Sequence, residues 1–256
     1  MNISANTDTP NLFKIYFLES ITQIQMMMRT LGFSIPALLF PVMFYVFFGI
    51  IFTMSANMPT YLMVTYAVFG IMGPGLFSFG VGIAVERGQG WFDIKEASPM
   101  PVSAYIVSRI VLTMIFSLLI IMLLYFTGAV FADVQLLHSQ WILIAVILIM
   151  GSLPFCAIGM TIGLHLKANS APAVVNLIYL PMAFLSGLWI PIQMFPSYLQ
   201  GVSQFLPPYH LAQICLKVIH MDAGEKLWIH ISVLMAYLII FTILATMAYN
   251  KKDKNA

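Results

Sequence analysis

Covalent chemistry needs a hydroxyl or thiol beside a base, and the pairing this chain offers is Ser186-Gly187 with His210 or His230. That combination is the minimum for an intramembrane serine hydrolase using Ser186. The signal is weak, because His210 lies beyond a Pro-rich turn and no oxyanion loop is evident. The histidines show no cluster in the sequence: His210, His220 and His230 recur every ten residues, which on one helix rotates them off a common face. No metal site is expected from them. Cys156 and Cys215 fall at different expected depths, so they read as small apolar fillers and not as a disulfide. The expectation is a chain with no catalytic residues, no metal and no cofactor of its own.

Charge points elsewhere. Five of the few charged residues gather in one segment, Glu86-Arg87-Gly88-Gln89-Gly90-Trp91-Phe92-Asp93-Ile94-Lys95-Glu96-Ala97-Ser98-Pro99-Met100-Pro101. The chain is 61% hydrophobic and 8% charged, whereas a soluble domain carries about 25% charge. A protein facing lipid over most of its surface exposes little that is polar, so this cluster is the natural handle for a water-soluble partner. No nucleic-acid partner is expected.

The elements that must position this handle are membrane helices. Apolar runs predict spans over Leu31 to Thr53, Tyr61 to Ala84, Ala104 to Phe131, Trp141 to Leu164, Pro172 to Ile190 and Trp228 to Tyr249, each near the roughly 20 residues needed to cross a bilayer. A β-barrel would instead show alternating segments of about ten residues. With the N-terminus cytoplasmic, the inner side holds Lys14, Arg29, Arg87, Lys95, Arg109, Lys167, Lys251, Lys252 and Lys254, and the outer side Lys217 and Lys226. Nine against two places both termini inside. The net charge of +2 adds nothing to that asymmetry.

Met1 to Pro10 lacks the basic start and apolar core of a signal peptide. Instead, Thr9 as cap and Pro10 at the first position open a surface helix. Phe13, Tyr16, Phe17, Ile21, Ile24 and Met28 recur at helical spacing, with Lys14, Thr22, Gln25 and Arg29 on another side. Such a helix lies in the headgroup layer. The expected fold class is therefore all-α integral membrane, with residues 1–30 forming a cytoplasmic N-terminus with its amphipathic helix. Residues 31–250 form a six-span transmembrane domain, and residues 251–256 a basic cytoplasmic tail.

Every Asp and Glu falls outside the expected spans: Asp8, Glu19, Glu86, Asp93, Glu96, Asp133, Asp222, Glu225 and Asp253. Ion-coupled carriers keep an ionisable group near mid-membrane despite its cost, and channels use rings of charged side chains. Neither is present, so a secondary carrier is the weaker alternative and a passive channel poorer still. ATP is the natural energy source, yet the chain contains no G-x-x-x-x-G-K-[ST] phosphate loop. The nucleotide site is then expected on another polypeptide.

Glu86-Arg87-x-x-Gly90 followed by Ser98-Pro99-x-Pro101-Val102-Ser103-x-Tyr105-x-x-Ser108-Arg109 resembles the ABC-2 type permeases, the membrane subunits of one large class of ABC transporters. A second matching block is Phe184-Leu185-Ser186-Gly187-Leu188-Trp189-Ile190-Pro191, then Phe195-Pro196 and Leu206-Pro207-Pro208-Tyr209-His210. The resemblance implies that the loop over 85–103 carries a coupling helix docking on the ATPase. On that reading Glu86, Arg87, Gly90, Trp91, Phe92, Asp93, Lys95 and Glu96 form the main contact, and Lys167 to Ser170, with Lys167 and Asn169, a smaller one. It also implies short re-entrant outer helices over 191–226, a segment marked by Ser186, Gly187, Pro191, Pro196, Pro207, Pro208 and His210.

By resemblance, the partners are two ABC ATPase subunits holding ATP and Mg, and a second copy of the permease in the cell (inner) membrane. The function implied is export of a hydrophobic or amphipathic substrate such as a drug, lipid or lipid-linked glycan. Within the spans two readings stay open. Gly70, Gly73, Pro74 and Gly75 are hinges or breaks accommodated by neighbours. Gly159-x-x-x-Gly163 packs helices within one chain or between two.

Overall fold

The computed structural model describes residues 11–53, 55–91, 94 and 100–253, and among them there is no β-strand. Helix α1 spans Leu12–Arg29 and is capped by Asn11, whose Oδ1 accepts from the Lys14 amide at 3.4 Å. The expected cap Thr9 and first-turn Pro10 lie outside the described residues. Half of the expected apolar stripe of α1 is exposed, Phe13 and Phe17 stacking at 6.4 Å, while Gln23 is buried. Tyr16 meets Ser103 at 2.7 Å and fastens the helix beside the next membrane segments.

Helix α2, Leu31–Tyr45, runs into a wide π turn over Val46–Ile51. Helix α3, Met58–Leu76, passes through a second π turn, Phe77–Val81, into α4, Gly82–Gly88. Helix α5 spans Val102–Phe131. Helices α6, His138–Gly151, and α7, Leu153–His165, form one run interrupted at Ser152 and Pro154. Helix α8, Ala171–Leu185, is followed by a 3-10 turn at Ile192–Met194 and the short α9, Ser197–Ser203. Helices α10, Pro207–Val218, and α11, Leu227–Asp253, complete the order.

Among the described residues, five runs are long and apolar enough to cross a membrane: Ser34–Ile51, Met58–Gly88, Val102–Phe131, His138–His165 and Leu227–Asn250. The segment expected to span Pro172 to Ile190 is cut at Leu185. Its 15 residues cover about 22 Å at 1.5 Å each, short of a hydrocarbon core of about 30 Å. The cause is local. Gly187 takes φ +73°, its amide reaching Phe184 O at 3.0 Å while the Leu188 amide reaches Ala183 O at 3.3 Å. This left-handed glycine ends the helix.

The core forms around α3, where every residue from Tyr61 to Leu76 is buried. Such an all-round apolar helix is stable only when covered on every face, and α2, α5, α7, α8 and α10 all contact it. Pro74 lies inside a helix that continues past it, and the glycines around it are contact points. A Cβ on Gly70 would approach Ile120 to 2.5 Å, and one on Gly75 would approach Phe155 Cβ to 3.1 Å. The neighbours accommodate this stretch.

The Gly159-x-x-x-Gly163 pair packs within the chain. A Cβ at Gly159 would lie 2.7 Å from Gly75 O, and one at Gly163 would press still closer on Phe79 O. Backbone touches backbone there, so no side chain can yield. Gly163→Ala is therefore expected to destabilise the fold by about 1–3 kcal/mol. Gly201→Ala in α9, with open space around it, should change stability by less than about 1 kcal/mol. Equilibrium denaturation in detergent micelles compares the two, and equal losses would contradict this packing.

Candidate functional site

At the Gly88 end of α3–α4, three elements meet around one buried ion pair. Glu86 Oε1 lies 2.5 Å from Arg109 Nη2, with side-chain exposures of 11% and 4%. Tyr105, one turn before Arg109 on α5, donates its hydroxyl to Glu86 Oε2 at 2.7 Å. The Arg109 guanidinium lies 4.8 Å from the Tyr105 ring centroid and donates Nη1 to Ser78 O. Ser78 sits in the π turn Phe77–Val81, where the regular i to i+4 ladder is interrupted. Gly82 permits the approach, since a Cβ there would stand 2.5 Å from Arg109 Nη1.

Arg87 turns the other way. Its Nη1 donates to Gly163 O at 3.0 Å and to Leu164 O, carbonyls of the last turn of α7. A cation there satisfies orphan acceptors and complements the negative end of the helix. The expectation that the Glu86 and Arg87 side chains face a water-soluble partner is thus corrected: both are spent inside the chain, on α5 and α7. The physical reason is that a charge at the edge of an apolar bundle is costly unless paired or hydrogen-bonded.

What this end presents outward lies just beyond. Gly90 reverses the chain at φ +76°, and Trp91 and Ile94 are 54% and 64% exposed. Phe92, Asp93, Lys95 and Glu96 lie outside the described residues. Lys167 and Asn169 are exposed on the turn between α7 and α8. The same turn abuts the end of α4, because a Cβ on Gly88 would meet Ala168 Cβ at 2.9 Å. The fold therefore brings the two separate sequence segments to one end of the bundle.

The outer segment expected over 191–226 gathers at the opposite end, beside the start of α3. Tyr61, Pro191, Gln193 and Met221 border one cavity of about 260 Å³ there. Pro196 precedes α9, and Pro207 and Pro208 open α10, where a missing N–H costs nothing. Ser186 is buried and its Oγ has no hydrogen-bond partner. Both nitrogens of His210 are engaged elsewhere, with His230 Nδ1 at 2.9 Å and Gln204 O at 2.8 Å. No nucleophile–base hydrogen bond joins Ser186 to either ring. The reading that the histidines do not cluster is corrected for this pair. Ten-residue spacing separates faces of one helix, but His210 and His230 stand on two.

Between the ends runs a groove of about 260 Å³ among α2, α3 and α8, bordered by Pro36, Phe40, Gly73, Phe77, Asn176 and Tyr179. Aromatic rings continue it toward Trp189: Phe69 stacks on Tyr179 at 5.0 Å and Phe44 on Trp189 at 5.6 Å. Tyr179 donates to Phe69 O at 3.2 Å.

The family model for ABC-2 type transporters matches residues 18–220. The chain belongs to that family. It is 27% identical over 241 residues to YvfS of Bacillus subtilis (strain 168), named as a transport permease, covering 92% of this chain and 97% of the relative. A shorter likeness, 26% over 106 residues, joins 38% of the permease to 14% of ABC transporter G family member 20 of Dictyostelium discoideum. The permease is accordingly a multi-pass membrane subunit of an ABC transporter, a class that pairs with an ABC ATPase subunit.

Sequence reasoning counted Arg109 among the inner basic residues and at the end of the first resembling block, and gave it no partner. Its place eight residues into the long apolar helix α5, one turn after Tyr105, was the available signal that it is buried and paired. Glu86→Ala is therefore expected to cost about 3–5 kcal/mol by leaving Arg109 unpaired. Glu86→Ala combined with Arg109→Met should recover most of that loss. Denaturation midpoints of the purified variants measure this, and a double variant as unstable as the single one would refute the pairing.

Proposed function

We propose that this permease exports a hydrophobic or amphipathic molecule by alternating access, as a homodimer of six-span, N-in/C-in subunits driven by two ATPase subunits. The observation that carries the reading is the division of labour at the Gly88 end. Glu86 and Arg87 fasten the end of α4 to α5 and α7, while Trp91, Ile94, Lys167 and Asn169 face outward from the same place. A rigidly tied helix end with an exposed aromatic tip suits a part that receives a push from another protein. On this reading the handle is apolar at its centre, and the buried charges position it.

Support for an apolar cargo is the groove among α2, α3 and α8, whose polar groups are few: Asn176 and the Tyr179 hydroxyl. Its apolar and aromatic lining favours flat or greasy molecules over ions. Taking the short helix Ala171–Leu185 together with the non-helical turn through Trp189 as one further crossing, the fifth in chain order and six in all, keeps both termini on one side, as the basic asymmetry requires.

The tip is tested by Trp91→Ala with Ile94→Ala. The variant should fold with an unchanged denaturation midpoint, yet lose about 2 kcal/mol of ATPase binding, roughly thirtyfold in affinity. Binding is measured by titrating the purified ATPase against permease in nanodiscs, with substrate-stimulated ATP hydrolysis as second readout. Undiminished affinity would remove the tip from the interface. Transport by the isolated chain under an ion gradient would defeat the ATP-driven reading altogether.

Orientation has its own test in a Cys-free background. A cysteine at Ser139 should react with an impermeant thiol reagent from outside intact cells, and one at Gln89 only after lysis; both positions are exposed. The reverse pattern would place the Gly88 end outside and overturn the proposal.

A further inference from the structure

Helix α1 packs against α5 and α2. Between it and the stretch from Phe77 to Gln89 lies a cavity of about 310 Å³, within the size range of small-molecule sites, about 300–1,000 Å³. Its walls are mostly apolar: Met26 and Met27 of α1, Phe77, Val81 and Val85 of the run from α3 into α4, and Leu112 of α5. Gln23 of α1 also lines it and is only 3% exposed. The Gln23 Nε2 donates to Glu19 Oε1 at 2.9 Å. That contact fixes the amide, because the flipped amide would set its carbonyl oxygen against a carboxylate. Gln23 Oε1 is then an acceptor on the cavity wall that takes no hydrogen bond from the described residues. A buried amide oxygen without a donor is unfavourable, and a ligand that brings one gains by it.

The two charged residues in the same wall, Glu86 and Arg109, are paired with each other. Arg109 gives Nη2 to Glu86 and Nη1 to Ser78, and its Nε is buried without a partner. Glu86 also receives the Tyr105 hydroxyl. The pair therefore presents no net charge to the cavity. An anionic head seated there would meet the Glu86 carboxylate, a cationic one the Arg109 guanidinium, and either would lose its hydration without gaining a counter-charge. What the lining calls for is an uncharged donor carried on an apolar body. A hydroxyl is such a donor, and its lone pairs can still accept.

We propose that the cavity between α1 and α4 binds a neutral, hydroxyl-headed membrane lipid of the acylglycerol kind, its hydroxyl donating to Gln23 Oε1 and its first acyl carbons packing on Met27, Val81 and Leu112. The bilayer is the source. Phe77, Val81 and Val85 belong to the run Met58–Gly88 and Leu112 to Val102–Phe131, both long and apolar enough to cross it. A lipid held there bridges α1 to α4 at the end of the bundle that carries the Glu86–Arg109 pair. The site is separate from the groove among α2, α3 and α8: the two share Phe77 as a wall, while Gln23, Met27 and Leu112 line only the cavity under α1. It holds whatever molecule the permease moves.

The test uses the full chain in phosphatidylcholine nanodiscs and a monoacylglycerol with a photoactivatable diazirine early in its acyl chain, adducts being mapped by peptide mass spectrometry. Adducts are expected on Met26, Met27, Val81 or Leu112. Excess plain monoacylglycerol should remove them, whereas the chain-matched fatty acid, the alkylammonium and phosphatidylglycerol should not. Gln23→Leu keeps the size of the side chain without its acceptor and should cut this labelling about fivefold, with adducts elsewhere on the chain unchanged. Val85→Trp fills the cavity from its wall and should abolish it. Absence of adducts at all four positions overturns the site, and equal competition by any of the charged lipids overturns the neutral head. Wild-type labelling in Gln23→Leu overturns the role of Gln23. Should Gln23→Leu fail to fold, full labelling in Val85→Trp overturns the proposal alone.

Discussion

The pairing of Arg109 with Glu86 is the constraint on which the Gly88 end depends. A guanidinium eight residues inside an apolar helix cannot be left bare, and its cost of desolvation is met here by one carboxylate, one aromatic face and one backbone carbonyl. Each of these partners belongs to a different turn of chain. Satisfying Arg109 therefore fixes the depth of α4 against α5 and the position of the π turn between α3 and α4. Arg87 extends the same logic to α7, so three helices are registered by two cations. Such a network does little for total stability when compared with apolar packing, but it allows one arrangement where greasy surfaces alone would allow several.

That register rests in turn on residues with no side chain. Gly82 clears the path of the guanidinium, and Gly159 and Gly163 bring α7 against the carbonyls of Gly75, Leu76 and Phe79. Without water in the hydrocarbon region there is little hydrophobic drive to bring helices together, so close backbone approach and dispersion contacts must supply the association. The π turn over Phe77–Val81 belongs to the same design. A widened turn interrupts the i to i+4 ladder, and one of its carbonyls, Ser78 O, is met from outside by Arg109, while Phe79 O lies close against Gly163 of α7.

Much of this was legible in the sequence. Composition required helices, apolar run lengths located them to within a few residues, and the two quoted blocks marked both ends of the bundle. Ser186-Gly187 was read as part of a block and not as a helix terminator, so the fifth apolar run was drawn too long; the φ of Gly187 decides that point. In the charge cluster, the inward direction of Glu86 and Arg87 was missed. A sequence shows that Glu86 and Arg87 are charged and near a boundary, while the choice between inward and outward depends on acceptors far along the chain, Arg109 for one and Leu164 for the other. The contact between His210 and His230 was missed for a related reason. Periodicity tests residues on one helix, whereas these two meet across a turn that lets α11 fold back along α10.

The two ends of the molecule are joined by one rod. Met58–Gly88 is 31 residues long, about 46 Å at helical rise, and its first part is buried on every side. A helix in lipid can slide or tilt with little resistance, but one enclosed by α2, α5, α7, α8 and α10 cannot move without moving them. Its two terminal contacts are of different kinds. At Gly88 the rod is pinned by paired charges and abuts the Lys167–Ser170 turn, while at Tyr61 it borders a cavity shared with Pro191, Gln193 and Met221. The pinned end is stiff and the other has room. On the proposed reading, a displacement entering at Gly88 would pass along α3 toward the end where space exists, among the short helices that hold Gly187, Pro191 and the His210–His230 contact.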